Sequence, residues 1–274
     1  MIELFEQDIK TNDRQSSKGN QLKWEKDAVW YKADYTGYEG LAEYTISHLL
    51  KYSSLKSDEY VLYTPIEIKY KSQVYRGVSS PNFLDSDWQI ITLERLFKSK
   101  YNKSLNEIIW STGEMKDRIS FLADSMEVLG LKGFGKYINK MLTIDAFFLN
   151  EDRHTHNIAV LMNSQGDFAF CPIFDNGAGL LADTTMDYPI QNDVYELIKT
   201  VKAKTFSTSF DEQLEVSELL YGNNIHFYFI KSDVEEILSL RGNEGPASIY
   251  PLEERKRVRD IIFEQMRRYN YLFR

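Results

Sequence analysis

The spacing of apolar and polar positions changes character twice along this chain. Residues 28–34, "AVWYKAD", trade apolar for polar side chains over a short run, which predicts a strand. Over 37–53, "GYEGLAEYTISHLLKYS", Leu41, Ile46, Leu49 and Leu50 recur at helical spacing and predict a helix with one apolar face. "YVLYTPIEIKY" and "SQVYRGV" then read as strands joined by a polar turn at Lys71–Ser72. After "SSPNFLDSD" (79–87) the pattern becomes helical, with predicted spans 88–99, 104–111, 114–129 and 133–149. One strand pair interrupts it: "NIAVLM" (157–162) and "FAFCPIF" (168–174), across the turn "NSQGD" (163–167). Helices are predicted again over 191–202, 211–221, 232–241 and 251–272. Residues 12–23, "NDRQSSKGNQLK", are polar and have the makeup of a mobile loop. The pattern is therefore α+β: a small β-rich N-terminal lobe (1–86) ending in a hinge near 79–86, a larger helical lobe (87–274), and a cleft between them.

Composition narrows the picture. A hydrophobic content of 43% over 274 residues supports a proper core and excludes disorder as the default. The net charge of −8, from 33 basic and 41 acidic residues, argues against broad nucleic-acid or anionic-membrane binding, which rests on positive charge. The single cysteine, Cys171, permits no internal disulfide and reads as a buried small hydrophobe in a reducing compartment. No segment has the length and apolarity of a membrane span, and the N-terminus lacks a basic region leading into an apolar one. These features predict a cytoplasmic protein.

The densest chemistry lies in "FLNEDRHTHNIAV" (147–159), with Asp152, His154, His156 and Asn157 in six positions. His-x-His beside a carboxylate admits a zinc reading, but the chain has four histidines and no Cys–His ligand spacing. Asp152 to Asn157 is D-x-x-x-x-N, the interval of a phosphoryl-transfer loop. The predicted hairpin follows, and its far strand is expected to end at Asp175-Asn176-Gly177. Magnesium takes one or two hard oxygens from a protein, so Asn157 and Asp175 can share one ion while Asp152 orients or deprotonates a hydroxyl. His154 reads as a scaffold for the loop and His156 as exposed. Arg153 either pairs with a carboxylate or is solvated. At the nucleotide end, Lys32 lies in a predicted strand, with Glu43 as its candidate partner and Glu39 as the alternative one turn earlier. "SSKGNQ" (16–21) has no P-loop pattern but can cover phosphates with backbone N–H groups, and "VSSPNF" (78–83), with Ser80, is placed to meet an adenine.

Taken in order, "SSKGNQLK", "WYKAD", "GLAEYTISHLL", "RGVSSPNFL", "NEDRHTHN" and "FDNG" resemble the HipA-like kinases, bacterial serine/threonine kinases known from toxin–antitoxin modules. The D-R-H, Asn and D-x-G series is also similar to phosphatidylinositol kinases, which share the fold. The resemblance implies a bilobal protein-kinase-like fold using ATP and Mg2+. It implies Asp152 as the base, Asn157 and Asp175 as metal ligands, Lys32 as the ATP lysine and Glu43 as its acid. It further implies a flexible phosphate loop at Ser16, Ser17, Gly19, Asn20 and Gln21, with autophosphorylation on Ser16 or Ser17. Full-length members carry an extra N-terminal subdomain before that loop; this chain resembles the compact forms, some of which look like secreted effectors. The partners implied are a protein substrate and an antitoxin or a separately encoded N-terminal subdomain. A lipid or small-molecule kinase of the same fold and a nucleotide-binding pseudokinase remain as alternatives. The basic strip "RKRVR" (255–259) with Arg267 and Arg268 reads as a solvated helix face or, under the lipid alternative, as a membrane-facing one.

Overall fold

The computed structural model describes residues 1–10, 21–242 and 244–273. The chain begins with β1 (Ile2–Leu4), β2 (Lys23–Lys26), β3 (Val29–Ala33), α1 (Glu39–Leu50), β4 (Thr64–Tyr70) and β5 (Gln73–Pro81). There follow β6 (Trp88–Thr92), α2 (Leu93–Tyr101), α3 (Leu105–Ser111), α4 (Met115–Val128), α5 (Phe134–Phe148), β7 (Ala159–Asn163) and β8 (Phe168–Phe170). The last helices are α6 (Val194–Ile198), α7 (Phe210–Tyr221), α8 (Lys231–Ile237) and α9 (Leu252–Arg268). They form two compact units, one of residues 1–83, 174–200 and 227–274, the other of 84–173 and 201–226. Residues 174–200 and 227–274 thus pack with 1–83, and 201–226 with 84–173, out of chain order.

In the first unit a five-stranded sheet has the order β1-β4-β5-β3-β2, antiparallel except for β1 against β4. The β4–β5 turn is two residues, with Tyr70 opposite Gln73 and Lys71 at φ +55°, the left-handed backbone that a tight hairpin needs. One face of the sheet closes over Leu4, Trp24, Tyr31, Ala33, Ile68 and Tyr70. α1 packs on β4, β5 and α8. Its N-terminus is held by two acids: Glu39 accepts from the Thr36 amide at 2.7 Å and Asp34 from the Gly40 amide at 2.6 Å. Residues 79–81, read as part of a hinge, complete β5, with Ser80 opposite Trp30 on β3.

Two arginines of α9 differ from the solvated face expected for that helix. Arg255 and Arg257 are buried. Arg255 donates to the carbonyls of Tyr250, Leu238 and Ser239, and Arg257 to Tyr38 Oη and the carbonyls of Tyr188, Pro189 and Ile190. The guanidinium fork satisfies carbonyls that irregular segments leave without ladder partners. Arg259 pairs with Asp260 and Arg267 with Glu264. The strip is therefore not a plain solvated face.

The second unit holds a three-stranded antiparallel sheet, β6-β7-β8, with α5 packed between α4 and α7. Thr92 caps α2 and Ser104 caps α3, each accepting from a backbone amide three residues on. Residues 88–92 correct the sequence reading: they are strand β6, because Ile90 and Ile91 pair with Leu161 and Val160 of β7. The strand read over 168–174 stops at Phe170, ahead of Pro172, which has no N–H to donate to a ladder. Helices read over 191–202, 232–241 and 251–272 shorten to the spans above, the last passing into a 3-10 turn at Asn270–Leu272. β1 and β2 carried too little alternation to be predicted.

Candidate active site

The residues singled out by sequence fall into two clusters, one in each unit. In the first unit, Lys32 on β3 is half-buried with its ammonium directed at two carboxylates. Its Nζ lies 2.8 Å from Glu43 Oε1 and 2.8 Å from Asp175 Oδ1. Tyr63 completes the surroundings, its hydroxyl 3.5 Å away and its ring beneath the ammonium. Burial works against the charge, but Asp175 and Glu43 outweigh it and hold Lys32 well above the usual lysine range. Lys32 is therefore a fixed cation at any working pH. Burial likewise pushes the Tyr63 hydroxyl up, so it stays protonated. Glu43, one turn further along α1 than Glu39, faces the strand; Glu39 spends its oxygens on the amides of Tyr35, Thr36 and Gly37.

The second oxygen of Glu43 accepts from the Asn176 amide at 3.0 Å, so one buried side chain ties Lys32 to the Asp175-Asn176-Gly177 turn. Asp175 has φ +60°, an uncommon conformation for a non-glycine residue that persists where neighbours over-determine it. At Gly177 a Cβ would lie 3.3 Å from Glu39 Cβ and 3.5 Å from Glu43 Cγ, so the turn packs closely on α1. The turn begins five residues after β8 rather than at its end. Ser80 is buried on β5, and Gln21 lies two residues before β2. Ser16, Ser17, Gly19 and Asn20 lie outside the described residues.

In the second unit, Asp152, His154 and Asn157 share a loop between α5 and β7. The Asn157 amide nitrogen donates to the Asp152 carbonyl at 2.8 Å and to Asp152 Oδ2 at 2.9 Å. This leaves Asn157 Oδ1 without a hydrogen bond among the described residues. His154 Nδ1 accepts from the His156 amide at 3.2 Å, which puts the ring proton on Nε2, 3.7 Å from Asp152 Oδ1. Burial lowers the His154 pKa despite the Asp152 charge, so the ring is neutral at pH 7. His156 is exposed.

Five contacts hold this loop. Arg153 is buried and its Nε lies 3.1 Å from Asp145 Oδ2 on α5, while its Nη1 donates to the Asn157 carbonyl at 3.2 Å. Glu94 at the start of α2 accepts from Thr155 Oγ1 at 2.9 Å and from the Asn106 amide at 2.9 Å. The Glu94 amide donates to the Thr155 carbonyl, and Thr205 Oγ1 to the Arg153 carbonyl at 2.6 Å. Sequence reading had no means of finding Tyr63, Glu94, Asp145 or Thr205, since none forms a short motif with its partner. Lys204 was missed for the same reason; its Nζ lies 4.0 Å from Asp152 Oδ1.

The donor chemistry fits magnesium. Asn157 Oδ1 and the Asp175 carboxylate are hard oxygens, and such an ion takes most of its ligands from phosphate and water. For the zinc reading, no group of three or more His, Cys, Asp or Glu side chains able to hold a metal occurs among the described residues. Among the same residues, no helix is long and apolar enough to cross a membrane.

No family model matches the chain, and no curated protein matches it. Among solved structures, the chain is similar to the Helicobacter pylori proinflammatory kinase CtkA, with a TM-score of 0.56 and 13% identity. That likeness covers 97% of this chain and 94% of CtkA. HipA of Shewanella oneidensis, solved with HipB and its operator DNA, aligns at a TM-score of 0.45 and 12% identity over 96% of this chain and 62% of HipA. The chain thus has the α+β kinase-like fold of CtkA.

Proposed function

We propose that this chain is an ATP- and Mg2+-dependent kinase that transfers the γ-phosphoryl group to serine or threonine hydroxyls of a protein. The observation that carries the reading is the Lys32 ammonium, held at 2.8 Å by both Glu43 and Asp175 on a fold shared with a kinase. A lysine oriented by a carboxylate is what binding of α/β-phosphates requires. Asn157, through Oδ1, and Asp175, through its carboxylate, would hold Mg2+, which when bound neutralises charge between the β- and γ-phosphates.

Each remaining residue has a task the geometry supports. Asp152 presents a carboxylate steadied by Asn157 and accepts the proton of the attacking hydroxyl. His154 turns its N–H toward Asp152 Oδ1 and orients it without adding charge. Arg153, Glu94 and Thr205 keep the loop in place. The burial of Arg255 and Arg257 removes the basic strip that would favour a lipid substrate. The HipA-like resemblance adds an antitoxin or a separate N-terminal subdomain as partner, and self-phosphorylation of Ser16 or Ser17 as a way of silencing the kinase.

The test is phosphate transfer from γ-labelled ATP with magnesium, wild type beside Asp152→Asn, alone and in bacterial lysate, with labelled residues read by mass spectrometry. Label on protein serine or threonine that depends on Asp152 supports the reading and names the substrate. Equal labelling by Asp152→Asn would remove Asp152 as the base. ATP binding without any labelled protein would point to a pseudokinase or a small-molecule kinase.

A further inference from the structure

We propose that Lys204 is a further catalytic residue of this reaction, its ammonium contacting the γ-phosphoryl oxygens as that group passes to the hydroxyl at Asp152. The inference rests on the kinase reading above. In the reaction the hydroxyl oxygen attacks the γ-phosphorus and a new O–P bond forms. The bond from phosphorus to the β–γ bridging oxygen breaks, its electron pair leaves with ADP, and the hydroxyl proton passes to Asp152. Charge on the three oxygens of the moving group needs a cation beside the attacking oxygen, hence beside Asp152.

His154 and Lys204 approach Asp152 Oδ1, and Arg153 adjoins it in the chain, with its guanidinium turned to Asp145. Arg153 is buried against Asp145. The His154 ring is held by the His156 amide, which donates to its Nδ1 at 3.2 Å, and its Nε2 stands 3.7 Å from Asp152 Oδ1. Lys204 differs: its Nζ is 4.0 Å from Asp152 Oδ1 and its side chain is 44% exposed. That separation is too long for a hydrogen bond, and a half-open pair of this kind contributes little to stability. The ammonium donors therefore remain open to an incoming anion.

The backbone around Lys204 is fixed, so the cation is positioned before any ligand arrives. Thr205 Oγ1 holds the Arg153 carbonyl inside the catalytic loop at 2.6 Å. The Phe206 carbonyl accepts from Arg118 at 2.7 Å, and the Ala203 amide donates to the Thr208 carbonyl at 3.1 Å. Buried Ala203 and Thr205 alternate with exposed Lys202 and Lys204, which keeps the lysine on the open side. Prepaid positioning of this kind is what makes a charge effective in a transition state.

The experiment compares Lys204→Met, Lys204→Arg and Lys202→Met with wild type on the acceptor found by the labelling experiment, measuring kcat and the KM for ATP. Loss of one charge-assisted contact made in the transition state is expected to lower kcat roughly 10- to 100-fold in Lys204→Met with little change in KM. Lys204→Arg should restore most of the rate, and Lys202→Met, which removes the same charge from the same segment, should match wild type. A Lys204→Met rate within twofold of wild type overturns the role, as does an equal loss in Lys202→Met or a loss confined to KM. If wild type transfers no phosphate, the kinase reading fails first and this inference fails with it. An inactive Lys204→Met beside an active wild type cannot be mistaken for that case.

Discussion

Replacing Arg153 by methionine would leave the Asp145 carboxylate inside the helical unit with no opposing charge. Both side chains are almost fully buried, at 2% and 0% exposure, and Nε approaches the two carboxylate oxygens at 3.2 and 3.1 Å. Breaking a buried pair by removing one member costs about 3–5 kcal/mol, because the other charge stays desolvated. For a unit of this size that is a fall in Tm of roughly 12–20 °C. Burial already holds the Asp145 carboxyl above its ordinary value, against the pull of Arg153 and Asn150. Without Arg153 it rises further and takes up a proton, so the cost should be smaller at pH 5 than at pH 8. Arg153→Met with Asp145→Leu removes both charges and two hydrogen bonds, to the Asn157 carbonyl and from Asn150, and should fall within about 2 kcal/mol of wild type. Urea unfolding of wild type, both single variants and the double variant measures the coupling. The double variant should regain stability but not phosphate transfer, since Arg153 also holds the Asn157 carbonyl. A coupling below about 1 kcal/mol would refute the claim that this ion pair anchors the loop.

Three further outcomes are expected. Burial, followed by the Glu39 charge, lifts the Asp34 carboxyl to about 8, against the Gly40 amide and Arg76. Although part of the residue reaches the surface, Oδ2 is buried and has no hydrogen bond among the described residues. The folded state therefore holds the proton more tightly than the unfolded chain; this stability is complete at low pH and is lost as pH rises toward 8, by at most about 1.4 kcal/mol per pH unit. Asp34→Asn keeps the acceptor for the Gly40 amide and should flatten the Tm profile between pH 6 and 8; an unchanged slope would exclude Asp34 as its source. Glu43→Gln keeps the shape but removes one charge from Lys32 and should weaken Mg·ATP binding roughly tenfold by calorimetry. Asp152→Asn should bind with wild-type affinity in the same titration, whereas equal weakening in both would separate Glu43 from nucleotide binding. Arg257→Met leaves the carbonyls of Tyr188, Pro189 and Ile190 without their donor and should cost about 3 kcal/mol in chemical denaturation, where a loss below about 0.5 kcal/mol would mark the contacts as incidental.

The amino-acid order alone determined what neighbours in the chain decide. β3, α1 and the β4–β5 hairpin follow from periodicity and a two-residue turn, and the spacing from Asp152 to Asn157 marked the loop because both residues lie within one bend of backbone. Elsewhere the determinants sit far apart. Residues 88–92 suit helix or strand locally, and the backbone of β7 made them a strand. Glu39 stood as an alternative to Glu43 until the α1 N-terminus was seen to use it for its amides, with Glu43 turned toward Lys32. The α9 arginines looked solvated because charge alone says nothing of the unpaired carbonyls that three other segments bring to them. Lys204 reaches Asp152 only because Thr205 is bonded to a carbonyl 52 residues earlier in the chain. Local order sets dihedral preference and the spacing of side chains within one element. Which charge faces which is settled when separate elements must satisfy one another's buried polar groups, and only the folded chain holds that solution.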